Sequence, residues 1–438
     1  MAGSMLGIGI FLAPPIVARH VDSSWLFIAI WLFGGLTALG GAVACGELAA
    51  LFPQNGGDYV FQRKAFGPSV AFASGWVLLG AVFAGSIAAI SAGLCTFQLP
   101  VLLGVESARL TSPLFELGPL HPSAAQLAAI GLVLVLTAVN ALGARMSAGL
   151  QAAATLLPII LLVAGVVWAL GFAEPASVSE VAPPAGGVTL AGLVAAYLPI
   201  YFAYSGWNGV IYMSGEVREP RRIIPRSLLI GTLVVTGLYA LLCLGFLDLL
   251  GLDGLRGTGE AGSASARAAA GSTAELLVTA CVAVALLASL NGSVLGSSRV
   301  AFAMARGGAF WARAGKLDAR HVPGWALWLQ AGWVSVLVLS ESFEQILELV
   351  SMAMVICGSL TVGALFVLRM RQPQLVRPYR AWGYPVLPAI YLASNAVVIV
   401  VMVGRIFTFE PDALYPLMGL GIMLITYALH RFRLQSQA

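Results

Sequence analysis

The chain has 438 residues, of which 59% are apolar and only 10% are charged. Soluble globular proteins carry about 25% charged residues, so this sequence lacks the polar side chains that a soluble surface requires. The net charge of +4 is small and the Lys and Arg residues are scattered, which excludes a nucleic-acid-binding protein. Many apolar runs reach the roughly 20 residues that a transmembrane helix needs, and we therefore predict an all-α polytopic membrane protein.

Apolar runs separated by short polar breaks divide the chain into twelve predicted spans. They are residues 3–20, 24–51, 69–96, 123–142, 148–172, 188–216, 227–250, 273–305, 324–340, 343–368, 385–407 and 412–431. The segment 52–68 has a helical pattern but is too short and polar to cross, so we expect it at the membrane interface. The Gly-, Ala- and Ser-rich segment 251–272 is typical of a flexible connector.

The distribution of positive charge predicts the orientation. The segments after even-numbered spans and the C-terminus contain 17 of the 23 Lys and Arg residues, whereas the opposite segments contain five. Cytoplasmic loops carry the excess of Lys and Arg, so we predict that these segments and both termini are cytoplasmic. Arg outnumbers Lys 21 to 2, which hints at a GC-rich bacterial genome and hence at a bacterial inner membrane.

The sequence contains no pattern typical of an enzyme or of a metal or cofactor site. The five cysteines lie inside apolar runs without a C-x-x-C pair, and the four histidines are far apart. We find no G-x-S-x-G, phosphate-loop or H-E-x-x-H motif. We therefore expect no catalytic residue, metal or cofactor.

Two glycine clusters interrupt the first and sixth predicted spans. The first span begins GSMLGIG at residues 3–9, and the sixth contains YSGWNG at residues 204–209. Each Gly costs a helix up to about 1 kcal/mol relative to Ala, so such clusters favour local unwinding. The alternative is close helix packing, because Gly3 and Gly7 also fit a small-residue contact motif.

The spacing of the two clusters favours unwinding. They lie five spans apart, and units of five spans cross the membrane in opposite directions, as in an inverted repeat. Interrupted helices at matching positions of inverted halves indicate a transporter's substrate site. Free N–H groups at one half-helix end would bind a carboxylate and free carbonyls at the other an ammonium, so the pattern indicates an amino acid.

Five groups of motifs occur in order along nearly the whole chain. They are Gly7-Ile8-Gly9-Ile10-Phe11; Glu47-Leu48 with Gly56-Gly57-Asp58-Tyr59 and Ala65-Phe66-Gly67-Pro68; Phe202 to Asn208 with Glu216-Val217 and Ile224-Pro225-Arg226; Asn291-Gly292-Ser293 with Ser297-Ser298-Arg299, Ala305-Arg306 and Gly308; and Arg377-Pro378-Tyr379-Arg380 with Tyr384-Pro385. Together they resemble the amino acid–polyamine–organocation (APC) transporters, most closely the L-type amino acid transporter branch.

The resemblance implies a five-plus-five inverted-repeat fold with two extra C-terminal helices. Residues 1–172 would form the first repeat, residues 188–368 the second, and residues 385–431 the peripheral spans. It also implies a substrate site. The carboxylate would bind the backbone of Met5, Leu6, Gly7, Ile8 and Gly9, and the ammonium would bind carbonyls of Phe202, Ala203 and Ser205, beside Gly206.

The resemblance further implies an outer gate, and the polar residues predict an inner one. Phe202 would close over the substrate from outside, and Asn208 would stabilise the unwound segment or touch the substrate. Arg299 lies in an apolar helix, where we expect it to pair with Glu216 or Glu47 and brace the inner gate rather than contact substrate.

A cation site is a further possibility in the eighth span. Ser297 and Ser298 could supply oxygen ligands for a sodium ion, since hard cations prefer oxygen. Serines in membrane helices also bond to their own backbone, which is the competing interpretation.

Three departures from the family bear on the mechanism. Ile8 replaces the serine of the common G-S-G motif. Pro158 stands where many members carry a lysine thought to replace a bound sodium ion, which leaves the coupling ion open. The chain begins later than the family's chains do, so we expect a misassigned start codon or a truncated first helix.

The interrupted segments contain no acidic or basic residue, which favours a neutral substrate. We predict a secondary active transporter of neutral L-amino acids in the plasma membrane, working by exchange or cation-coupled uptake. The alternatives are a non-transporting amino-acid sensor or receptor on the same fold, or a transporter of other small amines. Residues 97–122 contain no Cys, so we expect no disulfide-linked heavy chain of the kind found in animal relatives.

Overall fold

The computed structural model describes residues 9–115, 121–142, 187–318, 322–340 and 343–405, with Gly7 and parts of 156–171 and 421–430. These residues are helical apart from connecting turns, and their one β-type contact is an isolated bridge between Pro113 and Ser123. The prediction of an all-α protein is confirmed for the described residues.

The described helices follow the predicted spans. In chain order they are α1 (Gly9–Ala18), α2 (Ser24–Leu51), α3 (Asp58–Phe66), α4 (Pro68–Leu103), α5 (Ser107–Thr111), α6 (Ala124–Ala141), α7 (Leu190–Ala203), α8 (Gly209–Tyr212), α9 (Pro220–Arg256), α10 (Ala261–Arg306), α11 (Gly324–Ser340), α12 (Phe343–Arg371) and α13 (Val386–Gly404). Among the described residues, seven helices are long and apolar enough to cross a membrane: α2, α4, α6, α9, α10, α12 and α13.

The shorter apolar helices α1, α7 and α11 lie in the first, sixth and ninth predicted spans. Most of the fifth and twelfth predicted spans lies outside the described residues. The count of twelve spans, the five-plus-five repeat and the division into residues 1–172, 188–368 and 385–431 therefore stay predictions.

Local signals in the sequence explain several helix ends. The Ser23 hydroxyl accepts a hydrogen bond from the Leu26 N–H at the start of α2. Ser123 and Gln126 form a reciprocal capping box at the start of α6. Such caps satisfy N–H groups that have no partner within the helix. Gly104 ends α4 in the left-handed conformation that glycine adopts without strain.

The segment 52–68 is not among the described helices long enough to cross a membrane, and its place at the membrane interface stays a prediction; one face of α3 is packed against other helices. Its polar side chains have internal partners. The Gln62 side-chain amide donates to the Thr361 hydroxyl at 2.8 Å and to the Cys357 carbonyl at 3.0 Å, both on α12. Part of the polarity in this segment therefore serves contacts with another helix, while Arg63 and Lys64 are exposed.

The prediction of a flexible connector at residues 251–272 is wrong. Helical structure continues from α9 and resumes in α10, with kinks at Gly251 and Gly271, whose φ angles are 64° and 75°. The buried Glu260 carboxylate accepts the Gly262 and Ser263 N–H groups at 2.6 and 2.8 Å, which caps α10. The small residues permit tight bends between helices here instead of a loose chain.

A buried carboxylate joins three segments at the predicted cytoplasmic side. Glu47 on α2 is 0% exposed. It lies 2.6 Å from the Arg369 guanidinium on α12 and 3.1 Å from that of Arg377, and it accepts the Ala381 N–H at 2.7 Å. Arg369 also stacks on the Tyr384 ring, 3.7 Å from its centroid.

We predict that Glu47→Gln destabilises the protein by about 3–5 kcal/mol, because it leaves two partly buried guanidinium groups without their carboxylate. The apparent melting temperature in detergent measures this effect. The matched control is Glu275→Gln, whose partner Arg267 is 3.7 Å away and 71% exposed. A surface pair contributes little, so the control should melt like the wild type. Equal melting of all three proteins would contradict the prediction.

Candidate functional site

The sixth predicted span is broken at its glycine cluster. Helix α7 ends at Ala203, residues 204–208 form turns, and α8 begins at Gly209. Gly206 has a φ angle of 87°, in the left-handed region that favours glycine. The predicted interruption of this span is therefore confirmed.

The start of α1 meets this break directly. Helix α1 begins at Gly9, and Gly7 lies in a bend before it, whereas Met5, Leu6 and Ile8 lie outside the described residues. A Cβ atom on Gly9 would be only 2.4 Å from the Ala203 Cα atom. The backbones of the two helices are thus in contact, which requires glycine at this position.

A cavity of about 120 Å³ lies at this junction. Its described lining includes Gly7, Gly9, Asp58 and every residue from Tyr201 to Gly209, together with side chains of α2, α4, α10, α12 and α13 such as Thr37, Phe83, Ser86, Ser289, Ser293, Met354 and Tyr391. A mainly apolar lining with a few polar groups is typical of a small-molecule site.

The sixth-span residues predicted to bind substrate all line this cavity. They are Phe202, Ala203, Ser205, Gly206 and Asn208. The Tyr239 hydroxyl donates to the Ala203 carbonyl at 2.9 Å, and the Ser205 N–H donates to the Phe202 carbonyl at 2.9 Å. A carbonyl has two lone pairs, so each can still accept a bond from a ligand. Their binding roles stay predictions.

Sequence reasoning missed Asp58 at the start of α3, which also lines the cavity. Its carboxylate accepts a hydrogen bond from the Tyr212 hydroxyl at 2.6 Å, and the Asn208 side-chain amide donates to that hydroxyl at 3.1 Å. The sequence feature that could have indicated this contact is Gly57, the residue before Asp58. A Cβ at Gly57 would be 2.6 Å from the Tyr212 ring, so glycine at this position allows α3 to approach the broken helix.

A pair of tyrosines was missed as well. The hydroxyls of Tyr201 on α7 and Tyr391 on α13 form a short hydrogen bond at the cavity wall. Gly358 on α12 makes room for them, because a Cβ there would be 2.1 Å from the Tyr391 hydroxyl. No local pattern links positions 190 residues apart, so only the fold reveals this pair.

The predicted pairing of Arg299 with Glu216 is confirmed. The Arg299 Nε atom lies 2.9 Å from the Glu216 carboxylate. The alternative partner, Glu47, is occupied by Arg369 and Arg377. The pair connects α10 to the chain just after α8, and its role as an inner gate stays a prediction.

The serines of the predicted cation site bond to their own helix. The Ser297 hydroxyl donates to the Val294 carbonyl at 2.9 Å, and the Ser298 hydroxyl donates to the Leu295 carbonyl at 2.8 Å. Arg299 also approaches the Ser298 oxygen to 3.3 Å, and its positive charge opposes a second cation there. Neither serine is among the described residues that line the cavity.

Comparison with known proteins identifies the family. The family model described as amino acid permease matches residues 1–425. The chain belongs to the amino acid permease family. The expected resemblance to APC transporters is thereby confirmed, and this permease is a multi-pass protein of the plasma membrane in a family of amino acid transporters rather than enzymes.

Curated relatives of the permease are similar over most of their length. The chain is 26% identical to Asc-type amino acid transporter 1 of Mus musculus over 434 residues, covering 97% of the chain and 77% of the relative. It is 26% identical to the serine/threonine exchanger SteT of Bacillus subtilis over 404 residues, covering 90% and 86%. It is also 26% identical to large neutral amino acids transporter small subunit 2 of Mus musculus, covering 97% and 77%.

We predict that Gly9→Ala abolishes substrate binding, because the new methyl group would force α1 away from the Ala203 backbone. The matched control is Gly237→Ala on α9, where an added Cβ meets nothing within 4 Å. Alanine should there be neutral or stabilise the helix by up to about 1 kcal/mol. Binding of labelled amino acid to purified protein and its melting temperature report both effects. Normal binding by Gly9→Ala would show that the contact is dispensable.

Proposed function

We propose that this permease carries neutral L-amino acids across the plasma membrane by alternating access. The observation that supports the proposal most strongly is the meeting of the start of α1 and the end of α7 at one cavity. N–H groups of the first turn of α1 lack intrahelical partners and attract a carboxylate. Carbonyls at the end of α7 attract an ammonium. A zwitterionic amino acid satisfies both ends.

The lining of the cavity supports a neutral side chain. None of its described residues is basic, so nothing there would pair with an acidic side chain. Asp58 is its only described acidic residue, and the Tyr212 hydroxyl already donates to it. Phe83 and Met354 offer apolar contact, and Ser289 adds a small polar group. The names of the relatives, a serine/threonine exchanger and a large neutral amino acids transporter, agree with this assignment.

Two elements beside the cavity are the gates in this proposal. The Phe202 ring, which is 5% exposed and lines the cavity, is the outer gate of the proposal. The Arg299–Glu216 pair closes the cavity on the cytoplasmic side by holding α10 against the chain after α8. Alternating access requires that the two closures open in turn.

The central test is uptake of labelled L-serine into proteoliposomes that contain the purified full-length chain. We expect saturable uptake that unlabelled neutral L-amino acids suppress and acidic ones do not. Replacing sodium with potassium, and varying internal serine, separates cation coupling from exchange. Binding of serine without any uptake would instead support the sensor or receptor alternative. Competition by small amines that lack a carboxylate would support the amine-transporter alternative.

We predict that Phe202→Ala weakens apparent serine affinity about tenfold or more, because burying an aromatic ring over a ligand is worth a few kcal/mol. Concentration dependence of the initial uptake rate measures this change. The control is Phe115→Ala, since Phe115 is 50% exposed and is not among the residues that line the cavity. An unchanged affinity for Phe202→Ala would remove Phe202 as a gate.

We also predict that Arg299→Glu and Glu216→Arg each slow exchange, and that the double variant with both changes recovers part of the rate. Reversing both charges restores attraction across the pair, whereas each single change creates repulsion. Initial exchange rates of the four proteins form a double-mutant cycle. Effects that simply multiply would show that the pair does not act as a unit.

A further inference from the structure

Two buried carboxylates of this chain have opposite surroundings. Glu47 is fixed by two guanidinium groups and an N–H donor. Asp58 is 3% exposed, yet no Lys, Arg or His among the described residues forms an ion pair with it. A buried carboxylate without a cationic partner is costly in its charged form, and uptake of a proton relieves that cost.

The polar and titratable groups described around Asp58 come from α2, α7, α8, α12 and the turn before α8, and all are neutral. Tyr212 donates to its carboxylate at 2.6 Å, and Asn208 and Thr361 lie within hydrogen-bonding reach. The remaining titratable neighbours are Cys45 on α2, Tyr201 on α7 and Cys357 on α12. Phenol and thiol groups are neutral or negative but never positive, so none of them compensates a negative charge on Asp58.

Other features stabilise the charged form in part, so that both forms are accessible. Asp58 is the first residue of α3, where the partial positive charge of the helix start favours an anion. The Tyr212 hydroxyl also donates to the carboxylate. Asp58 is thus stabilised by neutral donors and a helix start, whereas Glu47 is paired with two guanidinium groups.

Asp58 is also connected to the part of the site that must move. Its hydrogen bond leads through Tyr212 to Asn208, which is the last residue of the unwound segment before α8. The Gly56 N–H donates to the Tyr212 carbonyl at 3.1 Å, so α3 and α8 are joined by backbone as well. A proton on Asp58 changes the hydrogen bonding of the broken helix itself.

A proton suits this position better than a metal cation. The described residues contain no group of three or more His, Cys, Asp and Glu side chains that could hold a metal ion. Calcium and similar hard cations take six or more oxygen ligands, whereas Asp58 offers a single carboxylate among hydroxyl and amide groups.

We propose that Asp58 is the proton-binding group that couples amino acid uptake to a proton gradient. The proposal rests on the transport function proposed above and specifies its coupling. With the cavity open outward, the carboxylate takes a proton from external water and becomes a neutral carboxylic acid. After the amino acid enters and the cavity opens inward, the acid releases that proton to cytoplasmic water. One proton and one zwitterion enter per cycle, and no electron is transferred.

The test uses the full-length chain in liposomes loaded with a pH-sensitive dye and given labelled L-serine outside. An inward proton gradient should drive serine accumulation together with acidification of the lumen. With one proton per amino acid, a difference of one pH unit supports about tenfold accumulation. Asp58→Asn, which keeps the shape of the side chain, should lose gradient-driven accumulation and serine-linked acidification. It should still exchange internal for external serine, and pH should no longer change its exchange rate.

The matched control is Asp248→Asn on α9, the same chemical change at an exposed acid outside the cavity. It should accumulate serine and acidify the lumen like the wild type. If Asp58→Asn is unstable, the wild-type dye signal still decides whether protons enter with serine. Asp58→Glu retains a titratable group and should retain coupling.

The possible failures are distinguishable. Wild-type serine exchange without proton entry, or proton entry that persists in Asp58→Asn, would overturn the proton assignment and leave the transport function intact. Competition by ornithine with the wild type but not with Asp58→Asn would show that Asp58 contacts substrate, and this would also overturn it. Absence of any serine binding or exchange by the wild type would instead remove the proposed function.

Discussion

The contact between the backbones of Gly9 and Ala203 is the constraint on which the candidate site depends. Helix ends with unpaired N–H and carbonyl groups are tolerated inside a membrane protein only where they face a cavity or other protein. At this contact the two interrupted helices share one cavity, so their unpaired groups are placed opposite one another. A larger residue at position 9 would separate the helices and expose both ends to apolar surroundings.

Two groups of charged residues beside the broken helices differ in how firmly they join their segments. The Glu47 cluster binds α2 to α12 and to the chain before α13, in a place where four polar groups are mutually satisfied. The Arg299–Glu216 pair is one ion pair, to which the Asn55 amide adds a 3.4 Å hydrogen bond, and the Glu216 side chain is 48% exposed. A buried network resists separation, whereas a partly exposed pair contributes little and can open repeatedly. In the proposed cycle, the Glu47 cluster would stay closed while the Arg299–Glu216 pair opens and closes.

Much of this arrangement could be predicted from sequence because it depends on local composition. Apolar runs located the described spanning helices, and the glycine cluster located the break after Ala203. Asp58 was missed because a polar segment between two spans has the same composition at an interface as in the interior. Its burial depends on Gly57 and on Tyr212, which is 154 residues away. The prediction of a flexible connector at residues 251–272 was wrong for a related reason. Its Gly- and Ala-rich composition does not indicate the helix that Glu260 caps.

Exchange and net uptake differ in one step: net uptake requires the transporter to return with an empty site, so the empty site must be stable in both orientations. A transporter that returns empty must pass through both orientations without its substrate's charges, and a permanent unpaired charge in the cavity would oppose this. The resemblance of the sequence aligns the buried Pro158 with a lysine of the family, and proline carries no charge at this position. Asp58 can remove its own charge by binding a proton, and no arginine is paired with it, whereas two arginines are paired with Glu47. A titratable carboxyl beside the broken helix thus supplies a charge that changes during the cycle, and a fixed cation would not.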